Sequence, residues 1–253
     1  MSFQSVVKTS ALSLINQSSP LRRAALRYCI DYLQLPHLFV VTPSQALRAM
    51  LMLPPGESSS QLNQDIFALL VNRFRPGYFL EIGANDGTTL SNTLYLEAEF
   101  GWRGGLIEAN PRYEAALKRR SADVLMKGIG SEERAAQFVD AGLYGGLATQ
   151  IDAVHENITR SAPRIDIQLT TLTKALAELN APGVIDFLSV DVEGAELPII
   201  RQLVESEYRA RCGCIEVNLR SKDRSEIKRL LAAHNYRVVW EGQTCQDLFF
   251  VAL

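Results

Sequence analysis

The spacing of apolar positions changes character near residue 60. Before it, Phe3, Val6, Val7, Ala11, Leu14 and Ile15 recur at helical intervals. Thr42-Pro43-Ser44-Gln45 marks a second helix start, with Thr42 as cap, Pro43 in the first turn and Gln45 closing a capping box. Pro54-Pro55-Gly56 must end that helix, and the run from there to Ser60 is the best linker. An N-terminal helical extension over 1–58 and a second domain over 59–253 follow.

Beyond Ser60, strand and helix patterns alternate. Leu62, Ile66, Leu69 and Leu70 form a helix stripe, and Tyr78 to Ile82 a short strand. Ser91 to Phe100 reads as a helix, Gly105 to Glu108 as a second strand, and Val124 to Met126 as a third. Between the last two, Asn110 caps a helix that opens with Pro111 and runs to about Arg120. The stretch 131–165 is irregular, and Gly142 to Gly146 within it looks like a mobile loop over a site. Ile165 to Leu169 is a candidate extra strand, and Thr173 to Asn180 a helix. Ile185 to Val190 is an apolar strand of the kind helices cover on both faces. Leu197, Ile200 and Val204 mark the next helix, Cys214 to Val217 the fifth strand, and Ile227, Leu230 and Leu231 the last helix. Tyr236 to Trp240 and Leu248 to Ala252 close the chain with no helix between them, so one of the two runs antiparallel. The prediction is an α/β, Rossmann-like fold around a seven-stranded, mostly parallel sheet that ends in an antiparallel strand pair.

Composition narrows the functional classes. The 253 residues are 47% apolar and 21% charged, and the net charge of -2 offers no basic field for nucleic acid. The charge is uneven: up to Gly56 there are Lys8, Arg22, Arg23, Arg27 and Arg48 against Asp31 alone. Such a segment suits peripheral contact with an anionic membrane surface, although a solvated helix face is the plainer reading. The helices there also offer a homodimer surface. Cys29, Cys212, Cys214 and Cys245 show no metal-ligand spacing, and buried free thiols are expected. No apolar run is long enough to span a bilayer, and Lys8, Ser10, Ser13 and Asn16 interrupt any signal-peptide block. A cytoplasmic location without a transmembrane segment is the resulting expectation.

Open α/β sheets bind ligands at the carboxyl ends of their strands, so the residues just after each strand matter most. After the first comes Glu81-Ile82-Gly83-Ala84-Asn85-Asp86-Gly87. Gly83 and Gly87 permit a tight turn and close approach to a ligand. The dinucleotide fingerprint is missing, since Asn85 stands where its second glycine belongs. Glu81 and Asp86 suit a ligand bearing ammonium and sulfonium groups better than one bearing phosphates. Glu108 follows the second strand, 25 residues after Gly83, the interval of an acid that accepts from a ribose diol. The alternative, an acid capping the next helix, is weakened because Asn110 already caps it. Gly128, Ile129 and Gly130 follow the third strand, where an adenine ring would lie against backbone and Ile129. Asp191-Val192-Glu193-Gly194-Ala195-Glu196 follows the fourth, and Glu216-Val217-Asn218 the fifth.

The series EIGANDG, LIEANP, SVDVEGAE and CIEVN resembles the FkbM family of class I methyltransferases. Ser60 to Asp65, and Ser91-Asn92-Thr93 with Trp102, resemble one branch of it, so the likeness runs from about residue 60 to the C-terminus. It implies S-adenosylmethionine as methyl donor. Glu81, Gly83, Ala84, Asn85, Asp86 and Gly87 would line its methionine end, with Glu108, Ala109 and Asn110 at the ribose. Gly128 and Ile129 would flank the adenine, and Asp191 would sit toward the amino acid or the acceptor. The family's link is to O-methylation of sugars, glycans, polyketide-type natural products and similar small molecules.

A hydroxyl acceptor must lose a proton, and Asp191, Glu193 and His155 are the candidate bases. His155 falls in the irregular segment, where a surface histidine is an equal reading. Asp191, Glu193, Glu216 and Asn218 are oxygen ligands that would suit a divalent cation, unless Glu193 and Glu196 simply open the next helix. Two other readings stay open: a non-catalytic binder of the same donor, and a nicotinamide or nucleotide-sugar enzyme. The missing fingerprint and the final strand pair argue against the latter.

Overall fold

The computed structural model describes residues 58–150, 156–217, 222–239 and 247–253. The expected N-terminal helices, their basic residues, His155 and Asn218 lie outside the described residues.

In chain order the elements are α1 (Gln64–Val71), β1 (Tyr78–Ile82), α2 (Leu94–Phe100), β2 (Arg103–Ile107), α3 (Glu114–Leu117), β3 (Asp123–Leu125), β4 (Gly128–Ile129), β5 (Arg134–Val139), β6 (Gly146–Leu147), α4 (Glu156–Thr159) and β7 (Arg164–Thr170). They continue with α5 (Leu172–Glu178), β8 (Val184–Ile185), β9 (Phe187–Val190), α6 (Glu196–Glu205), β10 (Arg209–Ala210), β11 (Cys212–Glu216), α7 (Lys222–Ala233), β12 (Tyr236–Val239) and β13 (Asp247–Ala252).

Seven strands form the main sheet in the order β12-β13-β11-β9-β1-β2-β3. The pairs β1/β2, β1/β9, β9/β11 and β2/β3 are parallel. β13 runs antiparallel to both β11 and β12, as the missing crossover requires. β1 lies between β2 and β9, so the chain winds away from it in both directions. That reversal leaves a crevice at the carboxyl ends of β1 and β9.

Alternation along the strands sorts side chains into two cores. Leu80, Ile82, Leu188, Val190 and Ile215 face one side and pack with Leu172, Leu176, Ile199, Leu203, Ile227 and Leu231 of α5, α6 and α7. Phe79, Phe187, Cys212, Cys214 and Phe249 face the other and pack with Ile66, Leu69, Leu96 and Trp102. Both cysteines are free and buried on that face. The central strands β1, β9, β11 and β13 therefore carry apolar side chains on both faces, the signature of a sheet covered by helices. Among the described residues, no helix is long and apolar enough to cross a membrane.

Four elements differ from the sequence reading. The helix expected from Ser91 starts at Leu94, because Ser91, Asn92 and Thr93 turn their donors onto Glu81. The helix after Asn110 is a 3-10 turn over Pro111–Tyr113 followed by one α turn, and it stops before Arg120. The strand expected over 185–190 breaks at Asp186, whose Oδ2 accepts from the Tyr78 amide while Oδ1 accepts from Arg211. The irregular stretch 131–165 contains β5, which pairs with β7 and β6 in a second, four-stranded sheet ordered β4-β7-β5-β6. Most of β5 faces solvent, so it lacks the apolar alternation that marks a strand.

Candidate functional site

The turn after β1 is built around Gly83. Its φ of +86° is open to glycine, and a Cβ there would stand 1.7 Å from the Asp191 carbonyl oxygen. The amides of Gly83 and Ala84 both donate to the Ile107 carbonyl, at 2.9 and 3.2 Å, tying the ends of β1 and β2 together. Asn85 follows at φ 52°, a region that asparagine tolerates better than most side chains. That conformation aims the Asn85 amide at Glu108 Oε2, 2.8 Å away. The Asn110 amide donates to Oε1 at 2.7 Å. Both carboxylate oxygens of Glu108 thus hold main-chain donors, and their four acceptor positions are not all filled. Burial pushes the Glu108 carboxyl up, and the amides of Asn110, Asn85 and Ala109 pull it back.

Glu81 lies on the same face of the sheet as its register partner Ser189, whose own partner on β11 is Cys214. Its oxygens accept from the Asn92 amide at 2.8 Å, from Ser91 Oγ at 3.0 Å and from Thr93 Oγ1. Burial raises its pKa, while those donors and the Arg120 charge oppose the rise. Glu81 therefore organises the 91–93 turn.

One cavity occupies the carboxyl edge of the sheet. Among the predicted site residues, Glu81, Gly83, Ala84, Asn85, Glu108, Ala109, Gly128, Ile129, Asp191 and Glu193 all line it. Asp86, Gly87 and Asn110 do not line it. The Asp86 carboxylate accepts from the amides and hydroxyls of Thr88 and Thr89. Partial burial pushes Asp86 up, but those donors outweigh it and hold the carboxyl below its usual range. Gly87 packs against Leu117 and Arg120, and Asn110 caps the 3-10 turn through the Arg112 amide.

At the β9, β11 and β13 end the lining is acidic. Asp191 follows β9 and lines the cavity with Glu216 at the end of the neighbouring strand β11. Burial, and then the charges of Glu216 and Glu193, hold Asp191 well above an ordinary carboxyl. Asp247 opens β13 directly opposite Glu216. Burial pushes its pKa up to about 6, opposed by the amide of Gln64, which donates to Oδ2 at 2.8 Å. Glu196 opens α6 and accepts from the Gly194 amide, so it belongs to the helix start, with a pKa raised by burial to about 6. Among the described residues, no group of three or more His, Cys, Asp or Glu side chains is arranged to hold a metal ion.

Gln64, Asn92 and Asp247 also line the cavity, and the sequence reading did not single them out. Asp247 was within reach. An antiparallel strand begins at the edge where its parallel neighbours end, so the first residue of β13 had to stand beside Glu216. Gln64 is separated from Asp247 by 183 residues, and no local pattern joins them. Ser91-Asn92-Thr93 carried a compositional cue, three consecutive small polar residues before the apolar stripe of α2.

The model of the FkbM methyltransferase domain matches residues 81–238, more than half of the chain. The chain belongs to the FkbM family. The matched model is that of a methyltransferase domain, and the sheet here is Rossmann-like and mostly parallel. The match to the FkbM model takes in Glu81, Glu108, Asp191 and Glu216, and leaves Gln64 and Asp247 outside. Among solved structures, similarity is found to the methyltransferase FkbM from Methylobacillus flagellatus KT, at 14% identity and a TM-score of 0.41. That alignment covers 77% of this chain but 56% of the other, so this chain spans little more than half that protein's length. The precorrin-6y C5,15-methyltransferase from Geobacter metallireducens GS-15 aligns at 12% identity, covering 79% and 96% of the two chains with a TM-score of 0.43. The O-methyltransferase from Bacillus cereus, solved in complex with SAH, aligns at 14% identity over 85% and 93%, also with a TM-score of 0.43. No curated protein matches the sequence.

Proposed function

We propose that the protein transfers the methyl group of S-adenosylmethionine to a hydroxyl oxygen of a sugar, glycan or natural-product acceptor. The observation that carries the reading is Glu108, a buried carboxylate lining the cavity with each oxygen pinned by a main-chain amide. A ribose diol would complete the remaining acceptor positions. Gly83, with no room for a Cβ, lets the β1 turn pack on the Asp191 backbone at the cavity wall where the donor's amino-acid end would lie, and Gly128 and Ile129 line the part assigned to its base. The bound donor supplies a methyl carbon already activated by its sulfonium. The chain's own task is to align the acceptor, exclude water and take up a proton.

Asp191 is the group assigned to the proton. It lines the cavity beside Glu216, and a carboxylate raised by burial and like charge is a stronger base than one in water. With the donor bound, the carbon–sulfur bond would break as the acceptor oxygen bonds to the methyl carbon, S-adenosylhomocysteine would leave with the electron pair, and the Asp191 carboxylate would take up the hydroxyl proton. Glu193 lines the same cavity and is the second candidate.

Calorimetry with S-adenosylhomocysteine tests the donor site. Glu108→Ala should weaken binding more than tenfold, and unchanged affinity would remove the ribose role. Incubating the protein and donor with a cell extract, followed by intact-mass comparison, should reveal a metabolite heavier by one methyl group. Asp191→Asn should keep donor affinity and lose that product. Donor binding without any methylated product would assign the chain to non-catalytic binding instead.

A further inference from the structure

The rim of the cavity carries large apolar side chains beside the polar Gln61 and Thr89. Five large apolar side chains are exposed among the described residues: Leu90 at 46%, Leu143 at 49%, Tyr144 at 40%, Val184 at 48% and Leu253 at 66%. Three of them, Leu90, Leu143 and Tyr144, line this one cavity. They come from two separate loops, one between β1 and α2, the other a 3-10 turn between β5 and β6. Side chains that line a cavity and are also exposed to this degree stand at its mouth. Leu90 holds its place at φ 56°, a left-handed conformation that costs a non-glycine residue energy. Leu143 follows Gly142, whose φ of 65° begins the turn. Strained backbone that presents an apolar side chain to solvent points to a contact still to be made.

Deeper in, Asn92 is 9% exposed and lines the same cavity. Its Nδ2 donates to Ser189 Oγ at 2.9 Å, but its Oδ1 has no partner. An unpaired buried acceptor is costly, and a ligand hydroxyl would satisfy it. Asp191, Glu216, Asp247 and Gln64 lie toward the same end. From β2, which leads into Glu108, to β13 is four strand spacings, roughly 19 Å. The polar end therefore lies beyond the ribose position.

We propose that the acceptor is an amphiphile, with a hydroxyl-bearing head at the polar end of the cavity and an apolar body resting on Leu90, Leu143 and Tyr144. The assignment rests on the methyl-transfer reading above and adds the acceptor's chemical class, a hydroxylated head joined to an aliphatic or aromatic body. Leu90 and Leu143 then set specificity by the size of that body, and the donor half of the site is indifferent to them.

Methyl, hexyl and octyl β-glucosides, titrated below their micelle concentrations into protein saturated with S-adenosylhomocysteine, give the test. Octyl glucoside should bind at least tenfold more tightly than methyl glucoside. The double variant Leu90→Gly/Leu143→Ser should reduce that ratio below threefold, while Val184→Ser, at an exposed apolar residue off the cavity, should preserve it. Affinity for S-adenosylhomocysteine should be equal in all three proteins. No glucoside binding, no dependence on chain length, or a dependence that survives in the double variant overturns the proposal. A double variant that instead changes oligomeric mass assigns the rim to contact between copies, and also overturns it. Failure of the wild-type protein to bind S-adenosylhomocysteine strikes the methyl-transfer reading instead, and the chain-length series in its absence still decides the present one.

Discussion

Gly83 and Gly101 share a left-handed backbone but not the reason for it. Gly101, at φ 66°, ends α2 with nothing within 4 Å of a would-be Cβ. Gly83, at φ 86°, faces the Asp191 carbonyl at 1.7 Å. Gly101→Ala should therefore cost about 1 kcal/mol, the conformational term alone. Gly83→Ala adds a collision with backbone that joins β1 to β9, and at least ~3 kcal/mol is expected, with donor binding lost. Urea midpoints of the two variants measure the difference, and equal midpoints would show that the turn relaxes freely. Leu90 gives the converse case. It is 46% exposed, so Leu90→Gly removes little packing and relieves φ strain. Stability should hold or rise by up to about 1 kcal/mol, where truncating a buried leucine lowers it by several.

Elements, rather than single residues, decide how the loops at the sheet edge are held. The 91–93 turn hangs from Glu81 on β1, and Arg120 braces it from beyond α3. Arg120 donates to the Gly87 carbonyl, to Thr93 Oγ1 at 3.1 Å and to Glu97, with a charge contact of 2.8 Å. Both partners of that ion pair are buried, with side chains 4% and 10% exposed. Removing one member of a buried pair strands the other, so Arg120→Met should cost about 3 to 5 kcal/mol by urea unfolding. Donor affinity should fall with it, because Gly87 closes the turn that Gly83 opens. A loss below about 1 kcal/mol would mean that water reaches Glu97. None of this brace was legible in the sequence, where Arg120 read as the last residue of a helix. The central strands of the main sheet were legible because they are largely apolar and bounded by turn residues, as β1 over Tyr78–Ile82 shows. The acids Glu108, Asp191 and Glu216 were legible for the same reason, since each follows such a run. What escaped was set by long-range partners: the polar turn captured by Glu81, the Asp186 break, the exposed strand β5, and the Gln64–Asp247 contact.

Across the whole molecule, the cost of the site is electrostatic. Carboxyls have been drawn to one edge of the sheet and partly desolvated, which raises Asp191, Asp247, Glu196 and Glu108 above their ordinary range. For such groups the folded state binds protons more tightly than the unfolded chain. Their contribution to stability is fully present below the unfolded pKa near 3.8 to 4.5 and is lost as pH rises through the folded values, about 6 for Asp247 and Glu196. Asp86 and Asp140 are lowered in the folded state, so their contribution runs the other way, but it is complete well below pH 5. Among the described groups with a resolved shift, the raised carboxyls are the ones that still titrate above pH 5, so thermal stability should fall between pH 5 and pH 8. The expected loss is about 1 to 3 kcal/mol each for Asp247 and Glu196. Asp247→Asn removes one of these carboxyls while leaving a carbonyl oxygen for the Gln64 amide, so its pH profile should be flatter and its stability at pH 8 higher than that of the parent. Differential scanning fluorimetry across that range is sufficient to see it. A midpoint that rises from pH 5 to pH 8, or an Asp247→Asn profile parallel to the parent's, would mean that the edge of the sheet is wetter than its burial implies, and that Asp191 is no stronger a base than a carboxylate in water.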